Sequence, residues 1–253
     1  MEPDIVPEKL GSPINFKVVV IIGIIVIGFH ILVNTIEDSD MLIYGFSMII
    51  PVSVSVFAFI TAKRYAGTMV YSRAYIMLGI AFLIMFCAEF TYYVYEQILE
   101  LEPYPSIADV FFFAFYPMLI LYLLMNMKFF APHITKTGMA IIIVTPTIIT
   151  ATYINLTISD FGSFDFYYGI IFVAAASTTL GLSINTAKIF KGGLIVTAWL
   201  VLVIGIMIDV IGDTWYYYIE VNESYTLEHP VNLFWYSAYL LILYALYKHK
   251  KSL

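Results

Sequence analysis

The chain has 253 residues, 62% hydrophobic and 12% charged, with a formal net charge of −6. A soluble domain is nearer half apolar and a quarter charged, so this chain carries more apolar surface than one aqueous core can bury. The composition excludes an ordinary soluble enzyme and a nucleic-acid binder, and makes the lipid bilayer the expected solvent.

A polar N-terminal segment, 1–14, does not read as a cleaved signal peptide, because the first apolar run is long enough to span. Apolar runs then predict spans near 15–36, 41–62, 73–98, 106–127, 138–158, 165–187, 193–219 and 230–248. Each is about 20 residues or a little more, enough to cross roughly 30 Å as a helix. Pro51, Pro117 and Pro146 fall within spans and predict kinks. A basic tail, 249–253, follows. The single cysteine, Cys87, lies in an apolar run, so no intrachain disulfide can form. The expected fold class is all-α: a polytopic integral membrane protein with eight transmembrane helices.

Alternating the spans sorts the charges. All twelve Lys and Arg fall at one side: Lys9, Lys17, Lys63, Arg64, Arg73, Lys128, Lys136, Lys188, Lys191, Lys248, Lys250 and Lys251. Fifteen of the eighteen Asp and Glu fall at the other side or in the outward part of the spans. The positive-inside rule places both termini in the cytoplasm of a cell-membrane protein.

The chain also repeats itself. Thr61-Ala62-Lys63 recurs as Thr186-Ala187-Lys188, and Ala88-Glu89-Phe90-Thr91-Tyr92-Tyr93 as Gly212-Asp213-Thr214-Trp215-Tyr216-Tyr217. Glu96 recurs as Glu220, and Ile43-Tyr44-Gly45 as Tyr167-Tyr168-Gly169. These pairs lie 124 or 125 residues apart; Phe111–Phe113 with 234–236, and Phe115-Tyr116 with Ala238-Tyr239, lie 123 apart. Four-helix repeats over 15–129 and 137–248 follow, parallel because four is even, with an interface that can hold a site.

Carboxylates inside apolar spans mark the candidate site. Glu89, Tyr92 or Tyr93, and Glu96 follow i, i+3/i+4, i+7 and share one helix face. Asp213, Tyr216 or Tyr217, and Glu220 repeat that face, and Asp209 extends it one turn deeper. With no Lys or Arg within the spans, these acids require protonation, Tyr hydrogen bonds or a bound cation. An outward-facing site for a cation or small ligand between spans 3 and 7 is the functional reading. Interhelical hydrogen bonding is the structural one. Asp109 and Asn232 hold matching first-turn places after Pro105 and Pro230, where helix-start roles are ordinary.

Catalytic patterns are scarce. The histidines (His30, His133, His229 and His249) show no zinc spacing, and neither a phosphate loop nor a Ser–His pair is evident. Asp209-Val-Ile-Gly-Asp213 has the DxxxD spacing of intramembrane prenyltransferases. Its counterpart, Met85-xxx-Glu89, is incomplete, and no Lys or Arg lies on that side to hold a diphosphate. Span 8 carries no lysine between Asn232 and Tyr247 for a retinal Schiff base. Asn155-Leu-Thr157 and Asn222-Glu-Ser224 are glycosylation sequons on the outer side. No cofactor or metal is identified.

Glu102-Pro-Tyr-Pro-Ser-Ile-Ala-Asp109 through Phe115-Tyr116-Pro117, behind the Glu89 and Tyr92–Tyr93 helix, resembles multispanning sensory input regions. Those regions precede diguanylate cyclase, phosphodiesterase or histidine kinase domains in bacteria and archaea. The second half echoes the pattern with Asp213-Thr-Trp215 and Pro230-Val-Asn232. The resemblance implies a membrane sensory or docking role, here without an output domain. The expected function is a stand-alone, non-enzymatic sensory or accessory module in contact with a partner protein of the membrane or cytoplasm. The alternative is a secondary transporter or proton-coupled carrier using the same acids.

Overall fold

The computed structural model describes residues 14–67, 71–131, 133–189, 194–222 and 225–251. Residues 1–13, Lys191, residues 223–224 of the second sequon and the last two residues of the tail lie outside the described residues. The described chain folds into eight α-helices, with no strand among them. They are α1 (Phe16–Val33), α2 (Asp40–Arg64), α3 (Tyr71–Tyr93), α4 (Ile107–Phe130), α5 (Lys136–Leu156), α6 (Phe164–Ile189), α7 (Leu194–Asn222) and α8 (Asn232–Lys251). A π turn, Val94–Ile98, ends α3, and a 3-10 turn, Ile158–Asp160, follows α5.

The starts are capped by side chains. Asn15 accepts from the Lys17 N–H before α1, and Thr135 from the Gly138 N–H before α5. Ser106 and Asp109 form a reciprocal capping box on α4. Pro51, Pro117 and Pro146 sit inside α2, α4 and α5, and each helix continues through its proline.

Seven helices are long and apolar enough to cross a membrane. The exception is α8, expected from sequence as the eighth span. Its interior carries Trp235, Tyr236, Tyr239, Tyr244 and Tyr247, which lower its apolarity. The physical reason lies in its position: α7, α2 and α1 all pack on α8, so protein rather than lipid covers Tyr236, Tyr239, Ile242 and Leu246. A helix solvated by neighbouring helices can carry phenols that a lipid-facing helix cannot.

Successive helices alternate in direction: Phe29 late in α1 stacks on Phe46 early in α2, Tyr44 early in α2 meets Glu96 beyond α3, and Tyr71 opening α3 packs on Phe129 closing α4. The starts of α4 and α6 meet at Asp109 and Tyr168, Gly138 opening α5 lies against Asn185 near the end of α6, Phe172 of α6 packs on Tyr217 late in α7, and Trp199 early in α7 packs on His249 late in α8. The ends of α1 and α8 meet likewise. The Asn15 N–H at the start of α1 donates to the Tyr244 hydroxyl near the end of α8, at 2.8 Å. At the opposite end, the Asn34 amide donates to the Glu228 carbonyl at 3.3 Å. Lys17, Lys63, Arg64, Arg73, Lys128, Lys136, Lys188 and Lys248 therefore share one end, here the basic end. Glu96, Asp109, Asp165 and Glu220 lie toward the other, the acidic end.

A single core joins α1–α4 with α6–α8, so the two halves do not form separate cores. Between the halves, α2 packs on α8 and α4 on α6. By contrast, α1 rests mainly on α8, whereas α5 rests on α6. Exposed apolar stripes such as Ile143 and Ile148 on α5, and Val20, Ile24 and Ile27 on α1, are what lipid contact requires.

Two glycines set the approach of α7 to α8. A β-carbon at Gly205 would run into Ile242 and the Ala238 carbonyl, and one at Gly212 into Phe234 and Trp235. Small residues one or two turns apart let helix backbones approach closely. Gly212→Ala should cost about 1–3 kcal/mol by overpacking, lowering the thermal midpoint in detergent. Gly28→Ala, with nothing within 4 Å of its β-carbon, should leave the midpoint nearly unchanged.

Candidate functional site: an acid–tyrosine cluster

Asp209 is the deepest acid of the described chain, 0% exposed on α7. Neither of its carboxyl oxygens has a partner at hydrogen-bond distance among the described residues, though the Tyr239 hydroxyl approaches them. One turn further along, Asp213 is fully engaged. The Tyr116 hydroxyl of α4 donates to its Oδ2 at 2.9 Å, and the Trp235 indole N–H of α8 donates to its Oδ1 at 2.9 Å. Gly212 makes the second contact possible, because any β-carbon there would crowd the Trp235 indole.

The Tyr239 hydroxyl of α8 occupies the middle of the cluster. It lies close to Asp209, Asp213, Glu89 and Tyr116. Glu89, half-buried on α3, makes no hydrogen bond among the described residues and stands near Tyr92, Tyr225 and Tyr236 as well. The acids of α3 and α7 thus come together through aromatic side chains of α4 and α8 rather than by α3 packing along α7. Glu89 and Asp213 are 124 residues apart, and Tyr116 and Tyr239 are 123 apart. Tyr116 crosses to Asp213 of the second half, whereas Tyr239 stands by Asp209 and Asp213 of its own half as well as by Glu89 of the first.

The single-face stripe expected on α3 divides. The π turn, marked by the Leu99 N–H donating to the Val94 carbonyl at 2.9 Å, changes the angular spacing after Tyr93. Glu96 consequently turns to α2 and accepts from the Tyr44 hydroxyl. Tyr93 packs edge-on to the same Tyr44 ring at 5.3 Å, and Tyr92 lies tilted to it at 6.5 Å. On α7 the helix stays regular, and the adjacent phenols Tyr216 and Tyr217 touch edge-on at 5.3 Å while reaching different neighbours. Tyr216 packs with Tyr225 and Trp235, at 5.2 and 5.7 Å, while Tyr217 packs with Phe172 of α6 at 5.2 Å. Tyr92 and Tyr216 both approach the exposed Glu220, so this acid sits at the mouth of the cluster.

Asp109 and Asn232 fasten helix starts. Asp109 accepts from the Ser106 N–H at 2.6 Å and from the Tyr168 hydroxyl at 2.7 Å. Asn232 accepts from the Tyr225 hydroxyl at 3.1 Å and donates to the Leu227 carbonyl. In the loop before α4, the Tyr104 hydroxyl donates to Asp165 at 2.7 Å. Burial first, and that carboxylate second, push the Tyr104 phenol above its ordinary value of 10.0.

Tyr116, Trp235 and Tyr239 are the residues of the cluster that the acid pattern alone does not name. The signal for them was the aromatic repeat that aligns Phe115-Tyr116 with Ala238-Tyr239. His249 is a second surprise. Assigned from sequence to the cytoplasmic tail, it is 0% exposed in the last turn of α8, with neither ring nitrogen hydrogen-bonded among the described residues. It lies between Tyr75 and Trp199, with ring centroids at 5.8 and 5.4 Å.

Chemically, the cluster offers carboxylates and phenols at close quarters. It can share a proton among them or hold a small cation. No group of three or more His, Cys, Asp or Glu among the described residues is arranged to hold a metal ion. Two cavities lie elsewhere. One, of about 420 Å³, is at the basic end; the other, of about 380 Å³, is an apolar groove beside Ile211 and Tyr218. The chain matches no protein-family model, no curated protein and no solved structure.

The two aspartates should respond oppositely to neutralisation. Asp213→Asn keeps its shape but cannot accept from two donors as before, and should cost about 1–3 kcal/mol. Asp209→Asn relieves a buried carboxyl without partners, so its thermal midpoint in detergent should equal or exceed that of the parent. A loss at Asp209 as large as that at Asp213 would show that Asp209 is satisfied structurally.

Proposed function

We propose that the protein is a multi-pass membrane module that binds a proton or small cation at the acid–tyrosine cluster and relays its occupancy to a partner protein. The observation that carries this reading is Asp209: wholly buried, with neither oxygen at hydrogen-bond distance from a partner among the described residues, one turn from a satisfied Asp213 and beside Tyr239. A carboxyl in such a place destabilises the bundle unless something positive joins it, and intramembrane acids of this kind usually serve function.

Duplication supplies the relay. Two parallel four-helix repeats about an axis along the membrane normal would exchange α2–α8 packing with α4–α6 packing, and both contacts exist. The Trp199 indole donates to the Tyr75 hydroxyl, and these residues are 124 apart, as expected of equivalents facing each other near such an axis. The cluster and the Tyr75–Trp199–His249 contact lie along the same helices, α7 and α8. A change of charge at Asp209 is therefore placed to alter packing at the basic end. All eight helices cross the membrane in this reading, with both termini and the basic end cytoplasmic. The likeness to sensory input regions agrees with it, and signalling passes through a separate protein.

Proton-coupled transport is the second reading, favoured by the same unpartnered acid. Thermal unfolding of the purified chain across pH and across Na⁺, K⁺ and Ca²⁺ concentrations tests the site. A stabilisation that saturates with one of these ions and vanishes in Asp209→Asn is expected; identical curves for parent and variant would refute the site. Proton or cation flux in liposomes separates the readings: none for a sensor, Asp209-dependent flux for a carrier.

A further inference from the structure

A second site lies at the opposite end of the molecule. We propose that the cavity between the start of α5 and the end of α6 binds a phosphate-bearing anion, seated there as the headgroup of an anionic phospholipid. The cavity is about 420 Å³ and is lined by His133, Thr135, Thr137, Asn185 and Lys188 among others. The cavity lies at the basic end, and its described lining carries His133 and Lys188 without a carboxylate.

Its polar groups are underused. Asn185 is 6% exposed, yet its amide nitrogen reaches only the Met127 sulfur, at 3.9 Å, and its carbonyl oxygen has no hydrogen-bond partner among the described residues. Rotation of the amide presents two N–H donors to the cavity. The start of α5 adds to them. Thr135 takes the Gly138 N–H at 3.0 Å, and the Thr137 N–H has no partner among the described residues. A free N–H at a helix start favours an anion. Gly138 keeps the wall open, because any β-carbon there would collide with the Asn185 carboxamide.

The lipid assignment comes from the surroundings. The cavity exceeds what a bare phosphate ion needs and suits a headgroup. Helix α5 packs mainly on α6, leaving Met139 and Ile143 exposed just beyond the cavity toward the middle of the helix. Acyl chains can lie along that stripe while the phosphate sits among His133, Asn185 and Lys188. Basic pockets between helices at a membrane interface bind anionic headgroups. The inference is independent of the acid–tyrosine cluster and of which side faces the cytoplasm.

The test measures dissociation constants of the detergent-purified full chain for short-chain phosphatidylglycerol, short-chain phosphatidylcholine and inorganic phosphate. It compares the parent with His133→Gln/Lys188→Gln and with Lys63→Gln/Arg73→Gln, whose charges lie at the same end but outside the cavity. Phosphatidylglycerol should bind roughly tenfold or more tighter than phosphatidylcholine. That preference should vanish in the cavity variant and survive in the control variant. Competition by inorganic phosphate would confirm that the phosphate group is what is read. Phosphate binding without a lipid preference would keep the anion site but make the free ion its source. Binding of neither, or equal loss in the two double variants, would overturn the proposal.

Discussion

A carboxylate deep in an apolar bundle must find a positive or hydrogen-bonding partner, and every lysine and arginine of the described helices sits at the basic end, away from the cluster. Much of the architecture follows from that constraint. Tyr116 and Trp235 converge on Asp213 from α4 and α8. Tyr239 occupies the space among three acids. Phenols and indole serve here because they are apolar over most of their surface and donate a hydrogen bond at one edge. They can line a helix interface without adding charge. The same logic explains why α8, the helix richest in such groups, lies against α7, α2 and α1 rather than in lipid.

The proposed duplication accounts for why acids and aromatics face each other. If Glu89 and Asp213 are equivalents, as are Tyr116 and Tyr239, the cluster gathers matching acids and phenols of both halves, with Tyr116 crossing to Asp213. On that reading the halves also differ. Asp209 has Met85 as its counterpart at an offset of 124, so the deepest acid exists once. The π turn releases Glu96 toward Tyr44, while Glu220 remains by Tyr216. The first helix of each half also departs: α1 leans on α8, and α5 on α6. That last difference opens the flank of α5, where the basic-end cavity lies.

The helices were legible because length and apolarity are local properties. Observed bounds such as Phe16–Val33 and Lys136–Leu156 lie within a few residues of the expected spans. The sorting of charge was legible because it needs only alternation. The identity of the acids was legible because a carboxylate in an apolar run stands out. Their partners were not: Tyr116 and Tyr239 lie on other helices, and nothing in local periodicity states which helix faces which. The π turn was invisible because Glu89, Tyr93 and Glu96 fit regular helical spacing. The burial of His249 was missed because a histidine between lysines reads as a solvated tail, whereas Tyr75 and Trp199 enclose it.

The central claim is that Asp209 takes a positive partner. Infrared difference spectroscopy of the lipid-embedded protein, parent against Asp209→Asn, reads that carboxyl directly. The account predicts either a protonated carboxyl band at neutral pH that the variant lacks, or a carboxylate band that shifts when Na⁺, K⁺ or Ca²⁺ is exchanged. An ionised carboxylate band indifferent to every cation would contradict it.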